Sequence, residues 1–158
     1  MAKIVSRNEL QQTIEAARAK GKVIVTTNGC FDILHVGHVR FLQAAKRLGD
    51  LLLVGVNTDA SVKRLGKGDD RPINNEQDRA EIISALACVD FVTIFDEDTP
   101  VEFLKLVQPD FHAKGGDYKP ADLAETPIVE SFGGAIKIID LVPDKSTTQL
   151  VLKIRAQS

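Results

Sequence analysis

Residues 22–40 read KVIVTTNGCFDILHVGHVR, and the fold is decided here. Val23, Ile24, Val25, Thr26 and Thr27 make a β-branched run suited to a buried strand. Asn28 and Gly29 break it, because glycine tolerates close approach and positive φ. An amphipathic helix follows, with Phe41, Leu42, Ala45 and Leu48 at helical spacing. A strand ends, a glycine-containing loop turns, and a helix starts. In an open parallel sheet, ligands bind in the crevice beyond the carboxyl ends of the strands. The helix start offers unpaired N–H groups and a positive dipole end, which suit phosphate. His35 and His38 flank that opening, and Gly37 is expected to leave room for phosphate to approach the backbone.

Two His at this spacing also describe a solvated helix start or half of a metal site. The context favours a site. The pair follows strand, glycine turn and Phe31-Asp32, and it takes two of the three His in the chain.

On the N-terminal side, Ser6 and Glu9 form a capping box before Leu10, Ile14 and Ala17. The spacing predicts a helix over 7–20, ended by Gly21. Residues 1–21 are expected to form a cover helix rather than a site. On the C-terminal side, residues 51–56 read LLLVGV, as a strand buried on both faces does. Asn57, Thr58 and Asp59 end it and cap a short helix through Leu65. Residues 63–72, KRLGKGDDRP, then crowd four cations and two glycines into one loop. Composition alone fits a solvated loop. The functional reading is a phosphate clamp, with Lys as point charge and Arg as bidentate fork.

Residues 75–86 are predicted helical, with Arg79 either reaching back to that loop or exposed. Residues 90–95 are the third strand. Asp96, Glu97 and Asp98 fit a metal or acid cluster or a solvated turn; the turn is favoured, because Thr99 as N-cap, Pro100 at N1 and Glu102 start a helix at once. A fourth strand from Asp110 carries His112 as a strand residue and runs into KGGDY, residues 114–118. Two glycines and an Asp there fit close approach to a ligand, or a plain turn. A weak helical segment over 120–132, interrupted near Pro127, leads to a fifth strand at 135–139. Ser146, Thr147 and Thr148 precede a helix predicted over 149–156. Their hydroxyls can cap it, meet a phosphate, or both.

Strands alternating with helices predict an α/β fold: a doubly wound, mostly parallel five-stranded sheet with helices on both faces, one domain over 1–158. The chain has 158 residues, 44% hydrophobic and 27% charged, which suits one globular domain. A net charge of -2 gives no basic field for nucleic acid. Cys30 and Cys88 lack metal-ligand spacing, so a reduced, cytoplasmic setting and no protein metal cage are expected. No signal peptide or membrane-spanning run is expected.

The candidate site thus holds two His at a helix start, a Lys/Arg loop and a second helix start rich in hydroxyls. No Ser–His–Asp order, Walker A or GxGxxG is present. Such a set fits phosphoryl or nucleotidyl transfer, where positioning and charge stabilisation supply most of the catalysis.

Asn28-Gly29-Cys30-Phe31-Asp32 followed by His35-Val36-Gly37-His38 is similar to the signature of the HxGH nucleotidyltransferases, a Rossmann-like superfamily. Residues 57–65 (NTDASVKRL), 71–74 (RPIN), 97–100 (EDTP) and 114–120 (KGGDYKP) resemble one subgroup, the D-glycero-β-D-manno-heptose 1-phosphate adenylyltransferases. In many bacteria that domain follows a sugar kinase, and this chain resembles the stand-alone form. The resemblance implies transfer of AMP from ATP to the sugar phosphate, with Mg²⁺, giving ADP-heptose for lipopolysaccharide.

It implies that His35 and His38 serve catalysis, and the cationic loop adds Lys63 to them, with Lys63 or Lys67 neutralising the departing pyrophosphate. Gly29, Cys30, Phe31, Asp32, Gly37, Lys67, Gly116, Asp117, Ser146, Thr147 and Thr148 would meet the nucleotide. Asn57, Arg71 and Lys114 would meet the substrate. The cytidylyltransferases carry an Arg upstream of the Ser/Thr motif, where this chain reads Leu141-Val142-Pro143-Asp144, and Lys145 stands in a position to supply the charge. A cytidylyltransferase for glycerol phosphate or ethanolamine phosphate is the enzymatic alternative. A nucleotide-binding regulatory module is the other. The partners expected are small molecules and a second copy of the chain, not nucleic acid or membrane.

Overall fold

The computed structural model describes residues 1–68 and 70–157; Asp69 of the cationic loop and Ser158 lie outside the described residues. Its strands are β1 (Lys3–Ile4), β2 (Ile24–Gly29), β3 (Leu51–Asn57), β4 (Phe91–Phe95), β5 (Phe111–Gly115) and β6 (Ala135–Ile139). They form one sheet in the order β1-β4-β3-β2-β5-β6, with every neighbouring pair parallel. The sheet has six strands where the sequence predicts five. The additional strand, β1, is two residues long, too short to show any alternation. It is held by its neighbours: Ala2 N–H donates to Ser84 O and Val5 N–H to Val92 O.

Six α-helices connect the described strands, α1 (Arg7–Ala19), α2 (Val36–Lys46), α3 (Asp59–Arg64), α4 (Glu76–Ser84), α5 (Val101–Val107) and α6 (Thr126–Ser131), and α7 (Thr147–Ala156) follows the last strand. Because side chains alternate across a strand, neighbours in sequence serve opposite faces. Val25, Leu52 and Val54 pack with Leu42 and Ala45 of α2 and Ala80 and Ile83 of α4. Ile24 and Leu53 pack on the other face with Leu10 and Ile14 of α1, Phe103 and Leu104 of α5, and Val129 of α6. Each fully buried leucine there contributes about 1.5–3 kcal/mol relative to exposure. This two-faced burial explains the near-continuous apolar runs of the inner strands.

Two helix starts differ from expectation. Thr99 does not cap α5, which begins at Val101 with Pro100 at the N-cap and no side-chain cap. Pro127 does not interrupt a helix. The 120–132 segment is a 3₁₀ turn at Pro120–Asp122 and then α6, with the proline in its first turn. A proline is tolerated there because its missing N–H would have no intrahelical partner.

The strand order sets the site. From β2 the chain winds outward through β3 and β4; from β5 it winds the other way to β6. The crevice between the carboxyl ends of β2 and β5 is therefore the topological switch point, where such sheets bind ligands.

Candidate active site

A cavity of about 610 Å³ occupies this switch point. Asn28 and Gly29 at the end of β2, the Cys30–Asp32 turn, and the start of α2 form one wall. Lys114 and Gly115 at the end of β5, with Tyr118 and Leu141, form the opposite wall. Lys67, Arg71, Lys145 and the Ser146–Thr148 hydroxyls complete the rim.

His35 is the N-cap of α2, and its Nδ1 accepts from Gly37 N–H at 3.1 Å. His38 Nδ1 accepts from His35 N–H at 3.3 Å. The rings lie 3.8 Å apart between centroids. A ring nitrogen that accepts from a backbone N–H carries no proton, so each neutral ring carries its proton on Nε2. Burial, then the charge of Lys145, lowers the pKa of His35. Burial, then His35 and Lys67, pushes His38 down to about 4. At neutral pH both rings are neutral Nε2–H donors, and the backbone fixes which nitrogen donates.

Gly37 does not leave a gap for phosphate as expected. A Cβ there would meet Cε1 and Nδ1 of His35 at 2.8 Å and Cβ of Lys145 at 3.4 Å. The space glycine frees is filled by the His35 ring. Phe31 adopts a left-handed backbone, φ 49°, which is uncommon outside glycine. Its ring meets His38 edge-on, 5.5 Å between centroids. A Cβ on Gly29 would meet the Phe31 ring at 3.0 Å. Gly29 and Phe31 together therefore brace the second imidazole.

Asp32 is buried, with its carboxylate filled from within the protein. It accepts from Ile73 N–H at 2.9 Å and Asn74 N–H at 2.9 Å, and it pairs with Arg71. Burial raises its pKa, but the Asn74 and Ile73 backbone bonds and Arg71 outweigh that and leave it below the usual range. Arg79 has 0% exposure. It donates to Cys30 O at 2.6 Å, Asn74 O at 3.0 Å and the Asp59 carboxylate at 2.7 Å. Asp32 and Arg79 thus tie the signature turn to residues 71–74. Of the two readings of Arg79, exposure fails and the reach back to the segment after the cationic loop holds, whereas its bonds to Cys30 O and Asp59 are not foreseen, although a signal exists. It stands four residues before Ile83, on the buried stripe of α4, and a cation at such a position demands partners.

The structure gathers most of the expected residues around this cavity. Gly29, Cys30, Phe31, Asp32, His35, Gly37, His38, Lys67, Arg71, Lys114, Ser146, Thr147 and Thr148 all line it. Thr147 Oγ1 donates to Ile33 O at 3.2 Å, and Ser146 Oγ accepts from Gln149 N–H at 3.1 Å as N-cap of α7. Lys63, Asn57, Gly116 and Asp117 do not line it. Lys63 is exposed on α3, which follows β3, one strand away from the switch point. Asn57 is buried and donates to Ser61 Oγ at 3.0 Å. Gly116 sits under the Tyr118 ring, and Asp117 is exposed. Sequence reasoning also passed over Asn28, whose buried Oδ1 has no partner among the described residues and which lines the cavity.

Among the described residues no three His, Cys, Asp or Glu are grouped to hold a metal ion, and no helix is long and apolar enough to cross a membrane. Asp96, Glu97 and Asp98 lie outside the cavity, and Arg64 and Arg7 pair with them.

Comparison with known proteins agrees with this geometry. The cytidylyltransferase-like family model matches residues 26–148. The bifunctional protein HldE of Syntrophotalea carbinolica is 52% identical over 153 residues, 97% of this chain and 31% of that protein. The HldE of Geotalea uraniireducens is 51% identical over 157 residues, 99% of this chain and 32% of that protein. The chain therefore spans about a third of the length of these curated relatives. The crystal structure of the lipopolysaccharide core biosynthesis protein from Thermoplasma volcanium superposes with a TM-score of 0.64 at 32% identity, covering 77% of this chain and 98% of that one. Pantoate-beta-alanine ligase from Francisella tularensis, complexed with an ATP analogue and beta-alanine, shares the fold, with a TM-score of 0.66 at 14% identity over 98% of this chain and 77% of that one. With the family model spanning the signature turn, both cavity walls and the Ser/Thr motif, the chain belongs to the cytidylyltransferase-like family.

Proposed function

We propose that the chain is a single adenylyltransferase domain that moves AMP from ATP to D-glycero-β-D-manno-heptose 1-phosphate. An oxygen of the sugar phosphate attacks the α-phosphorus in line. The bond from that phosphorus to the bridging oxygen breaks, and pyrophosphate leaves with the electron pair. No covalent enzyme intermediate is needed, because the attacking phosphate is already ionised.

The observation that carries this reading is the imidazole pair. Two neutral rings, each with Nδ1 committed to the backbone, turn Nε2–H donors toward a cavity rimmed by Lys67 and Lys145. Donors fixed in advance stabilise charge that builds on the α-phosphoryl oxygens without reorganising at the moment of reaction. Lys67 and Lys145 take the charge of the departing pyrophosphate, and the Ser146–Thr148 end takes the β,γ-phosphates. Of Lys63 and Lys67, the position of Lys67 on the cavity lining favours Lys67 for this role. Mg²⁺ would come with the triphosphate as part of the substrate and would supply neutralisation of its charge, with Asn28 the residue placed to offer it an oxygen. The unpartnered Asn28 Oδ1 is the oxygen the protein offers nearby, whereas the Asp32 oxygens are already filled. Such a sparse oxygen set suits Mg²⁺ held mainly by phosphate and water.

The sugar assignment rests on the KGGDYKP and RPIN resemblances and on the likeness to a lipopolysaccharide core biosynthesis protein. A cytoplasmic enzyme that associates with a second copy completes the reading. The test is pyrophosphate release with Mg²⁺, with ATP or CTP against heptose 1-phosphate or glycerol 3-phosphate. Release with ATP plus the heptose alone is expected. Release only with CTP plus glycerol phosphate would overturn the substrate and keep the chemistry. No release with any pair would overturn both.

A further inference from the structure

Lys114 is the cation on the β5 wall of the cavity, and its ammonium is not free. Its Nζ lies 2.5 Å from Glu125 Oε1, with side-chain exposures of 23% and 9%. Glu125 does not line the cavity; it stands behind Lys114 at the N-cap of α6. The segment under it is fixed by Thr126 N–H donating to Leu123 O and by the Thr126 hydroxyl donating to Pro120 O. His112, beneath the pair, is kept neutral by burial and by Lys114, with its pKa pushed down to about 3. Lys114 is thus the sole ion-pair partner of Glu125 among the described residues.

The two cavity walls carry different kinds of charge. After burial, Lys145 and Lys67 add to the depression of the imidazoles at the transfer centre, whereas Lys114 acts on His112, where Glu125 opposes it. An ammonium already matched by a buried carboxylate is a weak clamp for a polyanion. It keeps N–H donors to spare, since an ammonium has three. Those suit a neutral oxygen acceptor.

We propose that Glu125 is a positioning residue that holds Lys114 as a hydroxyl-recognising donor, so that the pair reads a sugar hydroxyl of a bound substrate rather than its phosphate. The hydroxyl belongs to the ribose of the nucleotide or to the acceptor sugar. The inference rests on the adenylyltransferase reading for the identity of those two ligands.

Equilibrium titrations test it on the intact chain, with wild type, Lys114→Met, Glu125→Gln and Glu125→Asp. The probes are ATP, 2′-deoxy-ATP and 3′-deoxy-ATP in one arm, and heptose 1-phosphate and its monodeoxy analogues in the other. Removing the donor or its anchor is expected to weaken one of the two ligands about tenfold, the scale of a hydrogen bond to a charged group. That loss should vanish for the one deoxy analogue lacking the hydroxyl that is read. Glu125→Asp should recover part of it, and circular dichroism should show every variant folded at the titration temperature. Losses undiminished on every deoxy analogue would overturn the proposal in favour of a phosphate contact. Losses below twofold on both ligands, or a Glu125→Gln loss shared equally by both, would overturn it as well. Wild-type turnover is measured separately: its failure would sink the adenylyltransferase reading, while the ATP arm still judges the ribose.

Discussion

The arginines and the lysines at the crevice behave differently. Arg79 is fully buried on Cys30 O, Asn74 O and Asp59, and Arg71 is paired to a buried Asp32. Lys67 and Lys145 are exposed and have no ion-pair partner among the described residues, yet both sit where their charge reaches the imidazoles. The planar guanidinium, with five donors, builds the turn that presents the site. The ammonium of Lys67 and of Lys145, a mobile point charge, is left for the ligand, whereas that of Lys114 is held by Glu125. One loop supplies both kinds, so charge in a sequence run does not by itself say which cations bind.

The largest effect should fall on the building side. Arg79→Met leaves the buried Cys30 carbonyl and the Asp59 carboxylate short of a partner. It should cost about 3–5 kcal/mol in urea unfolding, the scale of breaking a buried pair. A loss under about 1 kcal/mol, judged against that same scale, would remove the distinction between the two kinds of cation.

Next is the imidazole pair. His38→Ala should lower kcat about 10²–10³-fold, as loss of one preorganised donor does, with the fold intact by circular dichroism. Near-normal turnover would remove His38 from the chemistry. Lys67→Ala should raise the KM for ATP about tenfold. Its unfolding midpoint should hardly move, because surface substitutions usually stay within about 0.5 kcal/mol. A large stability loss would make Lys67 a builder like Arg79.

The last comparison is in pH. The folded pKa values of His38 and His112, about 4 and about 3, lie below the ordinary 6.5. Between those values and 6.5 the unfolded chain binds more protons than the native one, so stability falls as pH drops through that window and is fully present above it. In the free protein the imidazole NMR signals of His38 should titrate well below 6.5, a readout that the phosphates of the substrates, which titrate at about pH 6, do not enter. A midpoint at 6.5 would mean that the imidazole is not held neutral as the geometry requires.

Much of this was legible in the sequence for physical reasons. The inner strands announce themselves as apolar runs because both faces of the sheet are covered. The His pair was legible because it interrupts a strand–turn–helix transition with ionisable groups. β1 was not legible, since two residues carry no periodicity and its pairing partner lies at residues 91–92. Lys63 and Lys67 could not be separated by spacing. The difference lies in the path of residues 70–74, which Asp32 draws back toward β2 through long-range bonds to Ile73 and Asn74. Gly37 was read as room for a ligand, but the side chain two residues earlier occupies that room. The Lys114–Glu125 pair joins residues on separate elements and leaves no local trace.

The most direct test of the central claim follows an isotope through turnover. Heptose 1-phosphate carrying ¹⁸O in its phosphate is incubated with ATP, Mg²⁺ and the protein, and the products are weighed by mass spectrometry. Direct attack on the α-phosphorus predicts ADP-heptose that keeps all of the label, including the new bridging oxygen, and unlabelled pyrophosphate. Label in pyrophosphate, or consumption of ATP without labelled ADP-heptose, would contradict the account.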